Sequence, residues 1–198
     1  MNGRTEAEEI KTGRMIRELR EQKGLSIDTL GKKTQLSQDQ LFQIEEGTLS
    51  PALGVLIKIA RALDVKVGTL MGAEATHSFM IVRKEEMAKH PHLVSKESLG
   101  YKYSYITLGQ EKKDRRMEPF LVILEPGAIE SEKISVHEGE EFLYVLEGEM
   151  EIGLGQNKEV LFPGDSIYYD GSIPHTLKCY GEVPAKIVAV IHVPRSGN

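Results

Sequence analysis

Residues 25–47 read LSIDTLGKKTQLSQDQLFQIEEG, and the organisation of the chain follows from this stretch. Ser26 is placed to cap a short helix whose apolar positions Ile27 and Leu30 turn inward. The pattern breaks over residues 34–37, and Ser37 is placed to cap a second helix with Leu41 and Ile44 inward. Two short capped helices joined by a tight turn make a helix-turn-helix. The second carries Gln38, Gln40 and Gln43 on its polar side. A glutamine amide can bond bidentately to adenine in the major groove, so the pattern points to DNA reading.

The flanks extend the same helical character. Ile16 and Leu19 share one face of a helix over residues 8–22, and Gly24 ends it. After Ser50-Pro51, the run ALGVLIKIARALDV places Leu53, Leu56, Ile57, Ala60 and Leu63 at helical spacing. A last turn over residues 67–70 closes the unit before Gly72. Five short helices therefore form an all-α domain over residues 1–72, and the small, polar residues 73–78 read as a linker. Beyond it the pattern is β: FMIVR, YKYSYITL, PFLVIL, EFLYVLEGEMEIGL, EVLFPGDSIYY and KIVAVIHV. Turn signals at Pro126-Gly127, Glu147-Gly148, Pro163-Gly164 and Gly171 punctuate these runs. Short strands at this spacing predict an all-β sandwich or barrel over residues 79–198.

Composition sets outer bounds. The 198 residues suffice for two small cores. No apolar run approaches the ~20 residues of a membrane-spanning helix, so no membrane partner is expected. The opening residues MNGRTEAEEIKTG lack the apolar core of a signal peptide, and the lone cysteine, Cys179, allows no intrachain disulfide; both fit a cytoplasmic protein. The net charge of −5 is unevenly spread. Residues 1–72 hold 11 Lys+Arg against 10 Asp+Glu, while residues 73–198 hold 14 against 20. DNA binding would then rest on a local basic face, with Arg14, Arg17, Lys32 and Lys33 as candidates, rather than on bulk charge.

The segments IRELREQKGLS, LSQDQLFQIEEGTLSP and LIKIARALDV resemble the lambda-repressor-like (XRE) helix-turn-helix regulators over roughly residues 10–70. The resemblance implies a double-stranded DNA operator as partner, with base and phosphate contacts at Ser37, Gln38, Asp39 and Gln43. The chain departs from the family at Gly31, where alanine is usual, and at Gln35, where the turn usually has glycine. The first is expected to loosen its helix by up to ~1 kcal/mol. The second puts a non-glycine residue in a left-handed conformation.

PGAIESEKISVHEGEEFLYVLEGEMEI and FPGDSIYYDGSIPHTL resemble the cupin family, whose fold is a jelly-roll, or double-stranded β-helix, barrel. The resemblance covers about residues 79–194. It implies metal ligands at His137, Glu141 and His175, with Ser135 standing where the family's first histidine would be. Two imidazoles and a carboxylate suit a divalent transition metal such as Zn, Fe, Ni or Mn. The competing reading is a metal-free pocket with the same side chains as its polar floor. Cys179 shares strand parity with His175 and is expected as a small core residue. Tyr103, Tyr105, Tyr168 and Tyr169 are candidates to line the pocket; the other histidines lack partner spacing. Strand parity sends Glu141, Leu143 and Val145 inward. Phe142, Tyr144 and Leu146 then face the other way and need cover from a second layer or a second subunit.

Together the two resemblances imply a transcriptional regulator in which the cupin domain binds a small-molecule effector and forms the homodimer that a two-fold operator requires. A rival reading is a metal-dependent cupin enzyme, a dioxygenase or isomerase, carrying a DNA-binding domain. A third is a DNA-associated scaffold around an empty barrel.

Overall fold

The computed structural model describes residues 2–72, 77–89, 92–96, 102–127 and 134–194, with side chains described at 11–72, 77–87, 103–127 and 134–194. Five helices come first: α1 (Asn2–Gln22), α2 (Ile27–Thr34), α3 (Gln38–Glu45), α4 (Leu53–Ala62) and α5 (Val67–Leu70). The first starts six residues earlier than its apolar spacing indicates, because TEAEEIK contains good helix formers and no breaker. Gly24 ends it in the left-handed region (φ +65°), and the Leu25 amide bonds back to the Arg20 carbonyl at 3.0 Å. Ser26 caps α2, its hydroxyl accepting from the Thr29 amide at 3.1 Å. Ile16, Leu30, Leu41, Leu56, Leu63 and Leu70 are fully buried among these helices.

The turn between α2 and α3 explains both departures from the family pattern. Gln35 adopts φ 59° and its neighbour Leu36 donates to the Gly31 carbonyl at 3.2 Å. A Cβ on residue 31 would stand 2.9 Å from the Leu36 carbonyl oxygen. Glycine at 31 therefore makes room for the turn, rather than merely loosening the helix.

A buried carboxylate locks α3 onto α1. Arg20 grips Glu45 through Nε (2.6 Å) and Nη2 (2.8 Å), and Arg17 adds a contact at 3.3 Å while also pairing with Glu46. Arg17 thus serves the helix packing, not the free basic face anticipated for it, and Lys32 is paired with Asp28 at 2.7 Å.

In the second unit the described strands all pair antiparallel. Its strands are β1 (His92–Lys96), β2 (Lys102–Thr107), β3 (Met117–Leu124), β4 (Glu140–Glu147), β5 (Glu149–Leu154), β6 (Asn157–Leu161), β7 (Ser166–Asp170), β8 (His175–Tyr180) and β9 (Ala185–His192). A six-stranded sheet runs β1-β2-β3-β9-β4-β7 and a three-stranded sheet runs β6-β5-β8. Phe120, Leu143, Val145, Met150, Ile152 and Ile187 fill the space between them. The expected strand at FMIVR does not form, and Phe79 and Ile81 are exposed. A strand exists only where its backbone finds a partner, and residues 79–83 pair with neither sheet although each sheet has outer edges. Residues 73–76 of the expected linker lie outside the described residues. Among the described residues no helix is long and apolar enough to cross a membrane.

Arg20→Met leaves the Glu45 carboxylate with only its weaker partner in a buried setting. The substitution is expected to lower the stability of the helical unit by about 2–4 kcal/mol, read by denaturant unfolding at a helix-sensitive wavelength.

Candidate functional site

The capping of α3 sorts its glutamines. Ser37 Oγ accepts from the Gln40 amide at 3.1 Å, and Gln40 Oε1 accepts from the Ser37 amide at 3.1 Å. That reciprocal pair commits Gln40 to the helix start. Leu41, Ile44 and Glu45 point inward. Ser37, Gln38, Asp39 and Gln43 are all exposed and share the outer side of the helix. Gln38 Nε2 donates to Asp28 Oδ1 at 3.1 Å, an exposed contact that DNA can replace. Lys32, with Gln38 in support, holds Asp28 below the usual carboxylate range. Phe42 sits on this same side, 55% exposed. Sequence reasoning passed over it, although an aromatic at a position that helical spacing turns outward was visible.

The second site lies inside the barrel. His137 and Glu141 flank the start of β4, and His175 opens β8; all three are buried. Their ligand atoms lie within 4.8 Å of one another. Each imidazole is oriented through its far nitrogen: His175 Nδ1 is 2.8 Å from the Ile173 carbonyl and His137 Nδ1 is 3.1 Å from the Glu138 carbonyl. A ring N–H donated to each carbonyl leaves both Nε2 lone pairs turned toward Glu141, the tautomer that metal ligation uses. His137 Nε2 stands 2.5 Å from Glu141 Oε1, and His175 Nε2 stands 3.8 Å from the same oxygen. Two such acceptors facing each other need a proton or a cation between them. The donor set therefore fits a divalent metal.

The electrostatics agree. Burial pushes the Glu141 carboxyl up, while a proton shared with His137, the Tyr169 phenol and positive charge at His175 hold it below the usual range; in the neutral tautomers a cation takes the place of those protons. Burial lowers His175, which keeps it in the neutral, ligating form. Burial and the adjacent Glu141 push Tyr169 far up, so its phenol remains a donor to Glu141 Oε2 at 2.5 Å.

A cavity of about 350 Å³ opens onto this cluster. Ser135, Tyr103 and Tyr105 line it, together with His175 and Glu141. Tyr103 and Tyr105 stack with centroids 6.0 Å apart. Two of the anticipated aromatics behave otherwise. Tyr169 is a hydrogen-bond partner of Glu141, and Tyr168, 64% exposed, turns outward to Glu140 because alternate residues of β7 face opposite sides. Cys179 packs half-buried, its thiol 3.0 Å from the Val183 carbonyl, and joins no metal-ligand cluster among the described residues. His77 is exposed and His192 half-buried, while the side chains of His90 and His92 lie outside the described residues.

Comparison with known proteins agrees with both halves. Residues 16–70 match the helix-turn-helix family and residues 120–191 match the cupin domain family. The chain is 25% identical to the HTH-type transcriptional regulator SutR of Escherichia coli, with 91% of this chain and 94% of that protein aligned. It is 23% identical to the HTH-type transcriptional regulator PuuR of the same organism, over 94% and 97% of the two chains. The crystal structure of an HTH_3 family transcriptional regulator from Vibrio cholerae superposes with a TM-score of 0.68 at 21% identity, over 96% of this chain and 99% of that one. With α3 capped and its outer side exposed, and His137, Glu141 and His175 gathered inside the barrel, this chain carries a helix-turn-helix domain over residues 16–70 followed by a cupin domain over residues 120–191.

Proposed function

We propose that the chain is a DNA-binding transcriptional regulator whose cupin cavity takes a small-molecule effector. Residues 1–72 read the operator, and residues 79–198 bind the effector and dimerise. One observation carries this reading: the two sides of α3 have different duties. Its outer side exposes Gln38, Asp39, Phe42 and Gln43, while Leu36, Gln40 and Ile44 border the cavity that leads to His175 and Glu141. Gln38 and Gln43 supply adenine contacts, Ser37 a phosphate contact, and Phe42 an apolar surface for a thymine methyl. Asp39 accepts from cytosine. The named relatives are transcriptional regulators, which supports a binding role over a catalytic one.

His137, Glu141 and His175 would hold a divalent transition metal, which would supply Lewis acidity to a donor group of the effector. Tyr169 keeps the Glu141 carboxylate oriented for it. The dimer forms through the outer side of β4 and β7. Phe142 is half-buried, Tyr144 and Leu146 are 39% and 44% exposed, and Tyr168 pairs across the strands with Phe142. Such aromatic and aliphatic side chains side by side on a sheet call for a second copy.

Gln38→Ala and Gln43→Ala are each expected to weaken specific operator binding by about 1–3 kcal/mol with the fold unchanged, measured by titration against labelled operator. Glu141→Gln keeps the shape of the site but removes its one anionic ligand; cobalt uptake, followed by absorbance, should fall at least about tenfold while operator binding without effector is retained. Leu146→Arg combined with Tyr168→Glu should convert the dimer to monomer in sedimentation equilibrium. A parent protein that is already monomeric at micromolar concentration would remove the dimer from this reading.

A further inference from the structure

The cavity is not a property of the cupin barrel alone. One of its walls is Leu49–Val55 with Lys58, the loop after α3 and the first turns of α4. Three contacts hold this wall in place. Tyr105, fully buried on β2, donates from its hydroxyl to the Pro51 carbonyl at 2.6 Å. Arg61 on α4 pairs with Glu138, next to the ligand His137. Gly54 lies directly against Ser135: a Cβ there would land on Ser135 Oγ and stand 3.2 Å from Ser135 Cβ and 3.7 Å from His137 Cδ2.

The third contact accounts for the chain's departure at residue 135. Ser135 exchanges two backbone hydrogen bonds with His175, at 2.8 and 3.0 Å, so its side chain projects from beside the ligand cluster. An imidazole at that position would occupy the space that α4 fills. The small side chains of Ser135 and Gly54 are matched to each other, one from each domain.

We propose that Leu49–Lys58 of the DNA-binding domain forms a wall of the effector site, so that the molecule in the cavity touches that domain directly and sets how it is seated. This rests on the reading of the cavity as an effector site. The occupant is a compact molecule with an apolar body and one electron-pair-donating group. The body packs on Leu53, Val55 and Tyr103, and the donor group meets the His137–Glu141–His175 end. A molecule that fits beneath α4 favours the seated arrangement, and a bulkier one displaces it. Because Leu36 and Ile44 border the same cavity, reseating α4 also moves the support of the recognition helix. Linkage then requires operator DNA to change effector affinity by the factor by which effector changes operator affinity.

The test uses the full chain carrying Gly54→Leu, beside Tyr105→Phe, which removes only the hydroxyl that reaches Pro51. Leucine is the better helix former, so α4 itself is not weakened. Spin labels at Lys32→Cys and Glu159→Cys, in a Cys179→Ser background, report the distance between domains without any ligand. The seated parent should give one narrow distribution, and Gly54→Leu a broader or displaced one. Identical distributions in parent and Gly54→Leu overturn the proposal. Benzohydroxamate, an aromatic ring with a chelating head, is then titrated into the cobalt-loaded protein. Leu53→Ala should weaken its binding at least about five-fold with cobalt affinity unchanged, since it removes packing worth more than a methylene from the wall, and Gly54→Leu should weaken it at least as much because the added side chain pushes the wall off Ser135. Equal affinity for the probe in the parent and both variants also overturns the proposal. A parent that binds no cobalt refutes the metal reading of the cupin site instead, and the label distances alone then decide whether α4 is seated as a wall.

Discussion

A carboxylate cannot remain inside a protein without partners, and among the described residues Glu45 and Glu141 are buried, one in each unit. Glu141, in the barrel, is met by His137, Tyr169 and, at longer range, His175. Glu45, at the end of the recognition helix, is met by Arg20 and Arg17. Each arrangement satisfies a desolvated charge and, in doing so, fixes the orientation of everything that touches it. The first draws two imidazoles and a phenol toward one point. The second sets the angle at which α3 leaves the helical bundle, and with it the direction in which Gln38 and Gln43 point.

Two glycines, one inside the helical unit and one where it meets the barrel, let separate parts of the chain come close. Glycine at 31 lets the turn before α3 close against the Leu36 carbonyl. Glycine at 54 lets α4 approach Ser135. At 31 the missing side chain admits a backbone carbonyl and at 54 it admits the Ser135 side chain, so each glycine is a fit between elements. The Tyr105 hydroxyl buried on the Pro51 carbonyl ties the same two units together.

The barrel face opposite the cavity poses a different requirement. Residues 142, 144, 146 and 168 alternate with buried ones, and the chain itself leaves Tyr144, Leu146 and Tyr168 exposed. The same alternation that turns Glu141, Leu143 and Val145 inward produces this outer row, so pocket and outer surface are two consequences of one strand pattern.

The local features were legible in the sequence because local rules make them. Caps at Ser26 and Ser37, the left-handed Gln35, the inward positions of α3 and β4 and the His137–Glu141–His175 set all follow from spacing, capping chemistry or family motif. What failed depended on partners distant in sequence. FMIVR has strand character but joins no sheet, because pairing is decided by where the fold carries a segment and not by its composition, and Arg17 looks like a phosphate contact but answers Glu45 across the α1–α3 packing. Tyr105 read as a pocket aromatic, and it is one, but its hydroxyl is spent on a carbonyl 54 residues away. The seating of α4 on Ser135 had no sequence signal at all. A serine in place of a histidine reads as a lost ligand until the glycine opposite it is seen, and only the tertiary fold brings residues 54 and 135 together.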